Sequence, residues 1–180
     1  LEFQKRKEID LHIILLSSSI PHDTVIVENN VTYHLIKNSV KRYAEHLPLM
    51  YFQRLYHRNE SAIVKNYIRP KVLKTINSIK PDHVTLFGTE GEFGTIINEV
   101  NFPKAVWILG VLHKVLEFDH NPKFEIRLNN EKEIFKKQNH FITYDHDTDE
   151  IIKKYNPNAH FYKHTFPLPE YLFELKKENL

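Results

Sequence analysis

Apolar positions along this chain fall into two rhythms. The first is Ile9-Asp10-Leu11-His12-Ile13-Ile14-Leu15-Leu16, a short run with few polar breaks. It predicts a strand over 9–16 buried on both faces, as parallel sheets require. Ser17, Ser18, Ser19 and Pro21 end it. Thr24 to Val27 and Val31 to Ile36 read as two shorter strands around Asn29-Asn30. Asn tolerates positive φ, so these two residues suit a hairpin turn, and the pair makes a small antiparallel excursion at an edge. The stretch 39–56 fits neither rhythm. Over 60–79, Ile63, Val64, Tyr67, Ile68, Val72, Thr75, Ile76 and Ile79 recur at helical spacing. Asn59 or Ser61 would cap that helix, and Pro70 should kink or split it.

An alternation follows. Strands are predicted over 83–87, 105–109 and 141–145, with a last short one at Phe161-Tyr162. Helices are predicted over 90–100, 129–138 and 147–155, and 117–127 reads as a loop. Strands alternating with helices imply βαβ units, hence an α/β fold. The expected architecture is Rossmann-like: a mainly parallel sheet, containing 9–16 beside 83–87, 105–109 and 141–145, with helices on both faces.

Composition narrows the class. The 180 residues, 41% hydrophobic and 27% charged, suffice for a single domain over 1–180 with a real core. There is no cysteine, which excludes a disulfide scaffold, a thiolate nucleophile and a Cys-based zinc site. No apolar run approaches the roughly 18–20 residues of a membrane span, and the N-terminus lacks a signal-peptide core. The first residue is leucine, so the chain reads as a fragment or a processed product. With 25 basic against 23 acidic residues, charge gives no reason to expect nucleic acid. The expected location is the cytoplasm.

Glycine placement is the best chemical clue. The chain has four: Gly88, Gly91 and Gly94 after the strand ending at Phe87, and Gly110 after the strand ending at Leu109. In open α/β sheets ligands bind beyond the carboxyl ends of strands, where glycine lets backbone approach them. Tight strand-to-helix turns call for glycine in any case. Gly88-Thr89-Glu90-Gly91-Glu92-Phe93-Gly94 is neither a P-loop nor G-x-G-x-x-G. Glu90 and Glu92 would repel phosphate and suit hydroxyl groups, or simply face a helix dipole. His113, three residues past Gly110, could serve as a general base or a hydroxyl ligand, or be one of 12 ordinary histidines.

Asp145 to Glu150 has the look of a metal loop but fails as an EF-hand, lacking the sixth-position Gly and the twelfth-position Glu. Asp147-Thr148-Asp149 is also a D-x-D triplet of the sort some sugar transferases use with a metal. Asp147 as N-cap with Glu150 three residues on is the simpler reading. His160 and His164 fall on one face of the last strand and read as surface histidines. No metal site is expected.

Lys80-Pro81-Asp82-His83-Val84-Thr85-Leu86-Phe87-Gly88-Thr89-Glu90 resembles the "KPD-hydrophobic-H-x-x-GTE" segment in N-terminal domains of GT-B glycosyltransferases, retaining enzymes that use nucleotide-sugars. Val106-Trp107-Ile108-Leu109-Gly110-Val111-Leu112 is similar to the strand that follows there. Phe141-Ile142-Thr143-Tyr144-Asp145 with Asn156-Pro157-Asn158-Ala159-His160-Phe161-Tyr162 looks like the family's "T-D-W-D, helix, N-P-N-A-K-Y-Y". The match covers roughly 60–171.

The resemblance implies an acceptor-side domain whose binding positions would be Gly88, Thr89, Glu90, Gly110 and Asp145, with Gly91 and His113 added from the residue reading. It implies a sugar moved from a nucleotide-sugar to an acceptor hydroxyl in glycan, polysaccharide or lipopolysaccharide assembly. The acceptor would be a glycan or lipid-linked, and the parent could associate with the inner face of the membrane. Two departures stand out: Leu109 replaces a usual Gln or His, and no Gly-rich first βα unit precedes Ile9. The family's C-terminal donor-binding domain, expected in the same parent chain, is not in this sequence. This stretch alone should therefore hold no cofactor and transfer no sugar, the nucleotide-sugar belonging to the full-length enzyme. The alternative reading is a small non-catalytic α/β domain that binds a ligand or partner.

Overall fold

The computed structural model describes residues 8–38, 64–89, 92–116 and 122–164. They divide into two compact units: Leu1–Val84 with Gly91–Pro103, and Thr85–Glu90 with Lys104–Leu180.

In the first unit, β1 (Leu11–Ser17), β2 (Thr24–Glu28) and β3 (Val31–Lys37) form a sheet in the order β1-β3-β2. Asn29 and Asn30 have φ of 51° and 61°, so the predicted hairpin forms through two left-handed residues. It sets β2 antiparallel to β3, from Thr24 opposite Leu35 to Glu28 opposite Val31. β1 runs parallel to β3, from Leu11 opposite Val31 to Ser17 opposite Lys37.

This corrects the expectation that the 9–16 strand joins those at 83–87, 105–109 and 141–145. All seven residues of β1 find partners in β3, which follows in the chain after β2 alone. Closing so short a loop costs less entropy than reaching a distant strand. Nor is the run buried on both faces: its side chains are half-buried, and Leu15 is exposed.

A π-helical turn, Val64–Ile68, leads into α1 (Arg69–Ile79). The change of helix type falls between Ile68 and Arg69, one residue before Pro70, which sits in the first turn of α1. Lys80 (φ 54°) ends α1 in the left-handed conformation, its N–H donating to Ile76 O at 3.1 Å. The predicted helix over 90–100 is a 3₁₀ helix, Glu92–Glu99, which with Val100 buries Ile96, Ile97 and Val100. Arg69 Nε donates to Glu99 Oε2 at 2.7 Å, joining it to α1. The stretch 39–56 and the expected caps Asn59 and Ser61 lie outside the described residues.

The second sheet has the order β4-β5-β6-β7: β4 (Val84–Phe87), β5 (Lys104–Trp107), β6 (His140–Thr143) and β7 (His160–Lys163). Val106 pairs with Phe141 in parallel, and Phe141 with Phe161. Val84 N–H to Pro103 O (2.8 Å) and Gly88 N–H to Trp107 O (2.9 Å) keep one sequence offset, as a parallel pair must. Helices α2 (Leu112–Leu116), α3 (Pro122–Lys137) and α4 (His146–Lys153) connect the strands. Val106, Ile108, Ile134, Phe135, Phe141 and Ile152 are fully buried, with Phe135 edge-on to Phe141.

The α/β class and the parallel sheet flanked by helices therefore stand. Two details change. Residues 122–127, read as loop, are the first turns of α3, for which Pro122 at the start is preorganised by its fixed φ. The N-cap of α4 is Asp145, not Asp147, because Asp145 is the residue with extended backbone (φ −128°, ψ 159°).

Candidate functional site

The loops after β4, β5 and β6 come together at the carboxyl edge of the second sheet. Gly88 leaves β4 at φ 82°, a conformation that favours glycine, and its N–H holds the loop to β5 through Trp107 O. Thr89 follows, fully buried. Its hydroxyl donates at 2.7 Å to Oε2 of Glu131, a carboxylate on α3 that is itself fully buried. The same carboxylate accepts the Leu112 N–H at 3.0 Å, where α2 begins just past Gly110. One side chain thus clasps two of the loops singled out in the sequence.

His113 lies beside this clasp. Its Nδ1 is 3.6 Å from Glu131 Oε1, and its Nε2 is 2.6 Å from the Tyr155 hydroxyl. Burial, then the charges of Lys132 and Lys154, hold the His113 imidazole below its ordinary pKa. Lys114 Nζ donates at 3.3 Å to Asp145 Oδ1, which joins the β5 loop to the β6 loop. Asp145 also caps α4, accepting the Thr148 N–H at 2.7 Å and the Thr148 hydroxyl at 2.8 Å. Burial alone would raise its pKa; the Thr148 hydrogen bonds and Lys114 outweigh that and lower it. For Lys114, burial pulls down while Asp145 and Asp147 push up, and the net is upward.

Next to Asp145, the buried Asp149 accepts the Thr143 hydroxyl at 2.6 Å and pairs with Lys163. This ties α4 to β6 and β7. A Cβ placed on Gly110 would meet nothing within 4 Å, so the β5 exit borders open space.

Among the candidates, then, Gly88, Thr89, Gly110, His113 and Asp145 share one edge. Glu90 and Gly91 lie outside the described residues, as does the side chain of Glu92. Gly94 sits buried in the 3₁₀ helix. Asp147 is no cap, and its side chain is largely exposed, 3.8 Å from Lys114. Among the described residues, no group of three or more His, Cys, Asp or Glu is placed to hold a metal ion. His160 stacks on His140, and His164 stands edge-on to Trp107 at 4.5 Å.

Glu131, Tyr155 and Lys163 escaped the sequence reading, in which Asp149 figured only as part of the D-x-D triplet. Glu131 left one trace: with Ile134 and Phe135 of α3 and Gln138 just past its end, it forms a buried stripe at i, i+3, i+4 and i+7.

No family model, curated protein or solved structure matches the chain. What the edge can do is therefore read from its own chemistry. It carries the half-buried Tyr155, the His113 imidazole and open space beside Gly110, and Lys114 there is held by Asp145. Among the described residues no helix is long and apolar enough to cross a membrane.

Proposed function

We propose that this chain is the acceptor-side, Rossmann-like domain of a GT-B glycosyltransferase. It would present the hydroxyl of a glycan or lipid-linked acceptor to a nucleotide-sugar held by a partner domain, in polysaccharide or lipopolysaccharide assembly on the cytoplasmic side of a membrane. The observation that carries this reading is the Glu131 clasp, which holds the Thr89 loop and the Gly110–His113 loop together at the carboxyl edge of a parallel sheet. The sequence order of Lys80–Glu90, Val106–Leu112 and Phe141–Tyr162 supports it. In the parent enzyme the anomeric carbon would exchange its bond to the nucleotide phosphate for one to the acceptor oxygen, whose proton leaves. This domain's share is to orient that hydroxyl.

Isothermal titration calorimetry with UDP-glucose and GDP-mannose tests the assignment. Each should bind the chain more weakly than about 1 mM, under roughly 4 kcal/mol. Micromolar binding of either would make this a self-sufficient nucleotide-binding domain and overturn the acceptor-side reading.

A further inference from the structure

Three side chains beyond the glycine loops form a continuous line: the Glu131 carboxylate, the His113 ring and the Tyr155 hydroxyl. They belong to α3, to α2 and to the turn after α4, so three separate connections converge on one imidazole. Neither nitrogen of that ring is placed at random.

Nδ1 is buried and, among the described residues, has no hydrogen-bond partner; it faces Glu131 Oε1 at 3.6 Å. That separation exceeds hydrogen-bond length, so what decides the proton's position is electrostatics. A lone pair turned toward a carboxylate is repelled, whereas an N–H is attracted. The arrangement therefore favours hydrogen on Nδ1. Nε2 is then the unprotonated nitrogen, and the 2.6 Å contact has the Tyr155 hydroxyl donating to it. A hydroxyl that donates inward keeps its oxygen lone pairs for another donor. Tyr155 is half-buried, so solvent and ligands can reach part of it.

We propose that Glu131, His113 and Tyr155 are a polarised relay in which the carboxylate fixes the His113 tautomer and leaves the Tyr155 oxygen as an acceptor for a ligand hydroxyl. Glu131 and His113 are positioning residues, and Tyr155 is the residue that meets the ligand. A negative charge facing Nδ1–H raises the electron density at Nε2, and the hydroxyl that donates to Nε2 becomes the stronger acceptor at its own oxygen. The naming of a hydroxyl as ligand rests on the acceptor-side reading; the tautomer does not. The charges of Lys132 of α3 and Lys154 beyond α4 also act on the ring, and both favour its neutral form, the form the relay needs.

Long-range ¹⁵N NMR of the histidine side chains tests this on the chain as it stands, with no ligand. At neutral pH, His113 should show a protonated Nδ1 and an unprotonated Nε2. Glu131→Gln should abolish that preference. Tyr155→Phe should preserve it and move only the Nε2 resonance. A protonated Nε2 in the unsubstituted chain, or a tautomer indifferent to Glu131→Gln, overturns the relay. Should Glu131→Gln fail to fold, the unsubstituted chain and Tyr155→Phe still decide. Failure of UDP-glucose or saccharide titrations to behave as an acceptor domain requires would leave these signals unmoved, so the two ideas fail separately.

Discussion

The two sheets differ in a way that strand length does not foretell. Strands of the first run to seven residues with full pairing, yet β1 is half-buried and β2 leaves Val25, Ile26 and Val27 exposed. Strands of the second are four residues each, yet Val106 and Phe141 are completely buried. The difference lies in what covers them. Ile134 and Phe135 of α3 and Ile152 of α4 fill the second core, and hydrogen bonds accepted by Glu131, Asp145 and Asp149 fasten its loops and strands. Backbone pairing builds a sheet; helix packing turns it into a core.

The largest effect that could break this contrast comes from removing one buried side chain in each sheet. Phe141→Ala should cost about 3–5 kcal/mol, through lost transfer energy and a cavity. Val27→Ala, at a side chain 72% exposed, should stay within about 0.5 kcal/mol. Urea denaturation of the two variants checks both. Comparable losses would mean that the two sheets are equally packed.

A smaller pair sharpens the comparison within the candidate edge. Gly88→Ala forces a side chain into φ 82° and should destabilise by roughly 1–2 kcal/mol. Gly110→Ala meets open space and should leave stability within about 0.5 kcal/mol. Thermal melts of both variants decide whether these glycines serve backbone conformation or room for a ligand. If Gly110→Ala destabilises as much as Gly88→Ala, the open space at the β5 exit is not there.

The smallest effect is on pH dependence. In the first sheet His34 is bonded to His12 across 2.9 Å, and burial, then the His12 charge, lowers its pKa from the ordinary 6.5. The unfolded chain then binds more protons below that value, so stability is complete above about 6.5 and declines as pH falls through the lowered one. His113 contributes in the same direction. Asp145, lowered from 3.8, gives stability that persists until pH drops through its own depressed value. Melting temperature should therefore fall between about pH 7 and pH 5, with His34→Leu and His113→Gln each flattening part of the slope. A flat profile over that range would contradict the account.

How much of this could be read from residues alone varies by element. The alternation from β4 to β7 was legible because the short apolar runs are separated by helical segments. Sheet membership of 9–16 was not: apolar content predicts a strand but carries no information about its partner. The start of α3 was hidden by charges and aromatics around Pro122, and the cap of α4 by two aspartates two residues apart. Backbone geometry chose between them. At the edge, the glycines and His113 stood out as scarce or well-placed residues. Glu131 did not, because a carboxylate on a helix is ordinary until its neighbours at i+3, i+4 and i+7 are known to face inward. Tyr155 needed the fold to bring it to His113.

Amide NMR titration of the chain with glucose, galactose and N-acetylglucosamine tests the central claim most directly. If the clasped loops are an acceptor edge, these sugars should shift Gly88, Thr89, Gly110, Leu112 and His113 together, and adding UDP to the same sample should not compete. Competition by UDP at those amides, or sugars that leave both loops unmoved, would contradict it.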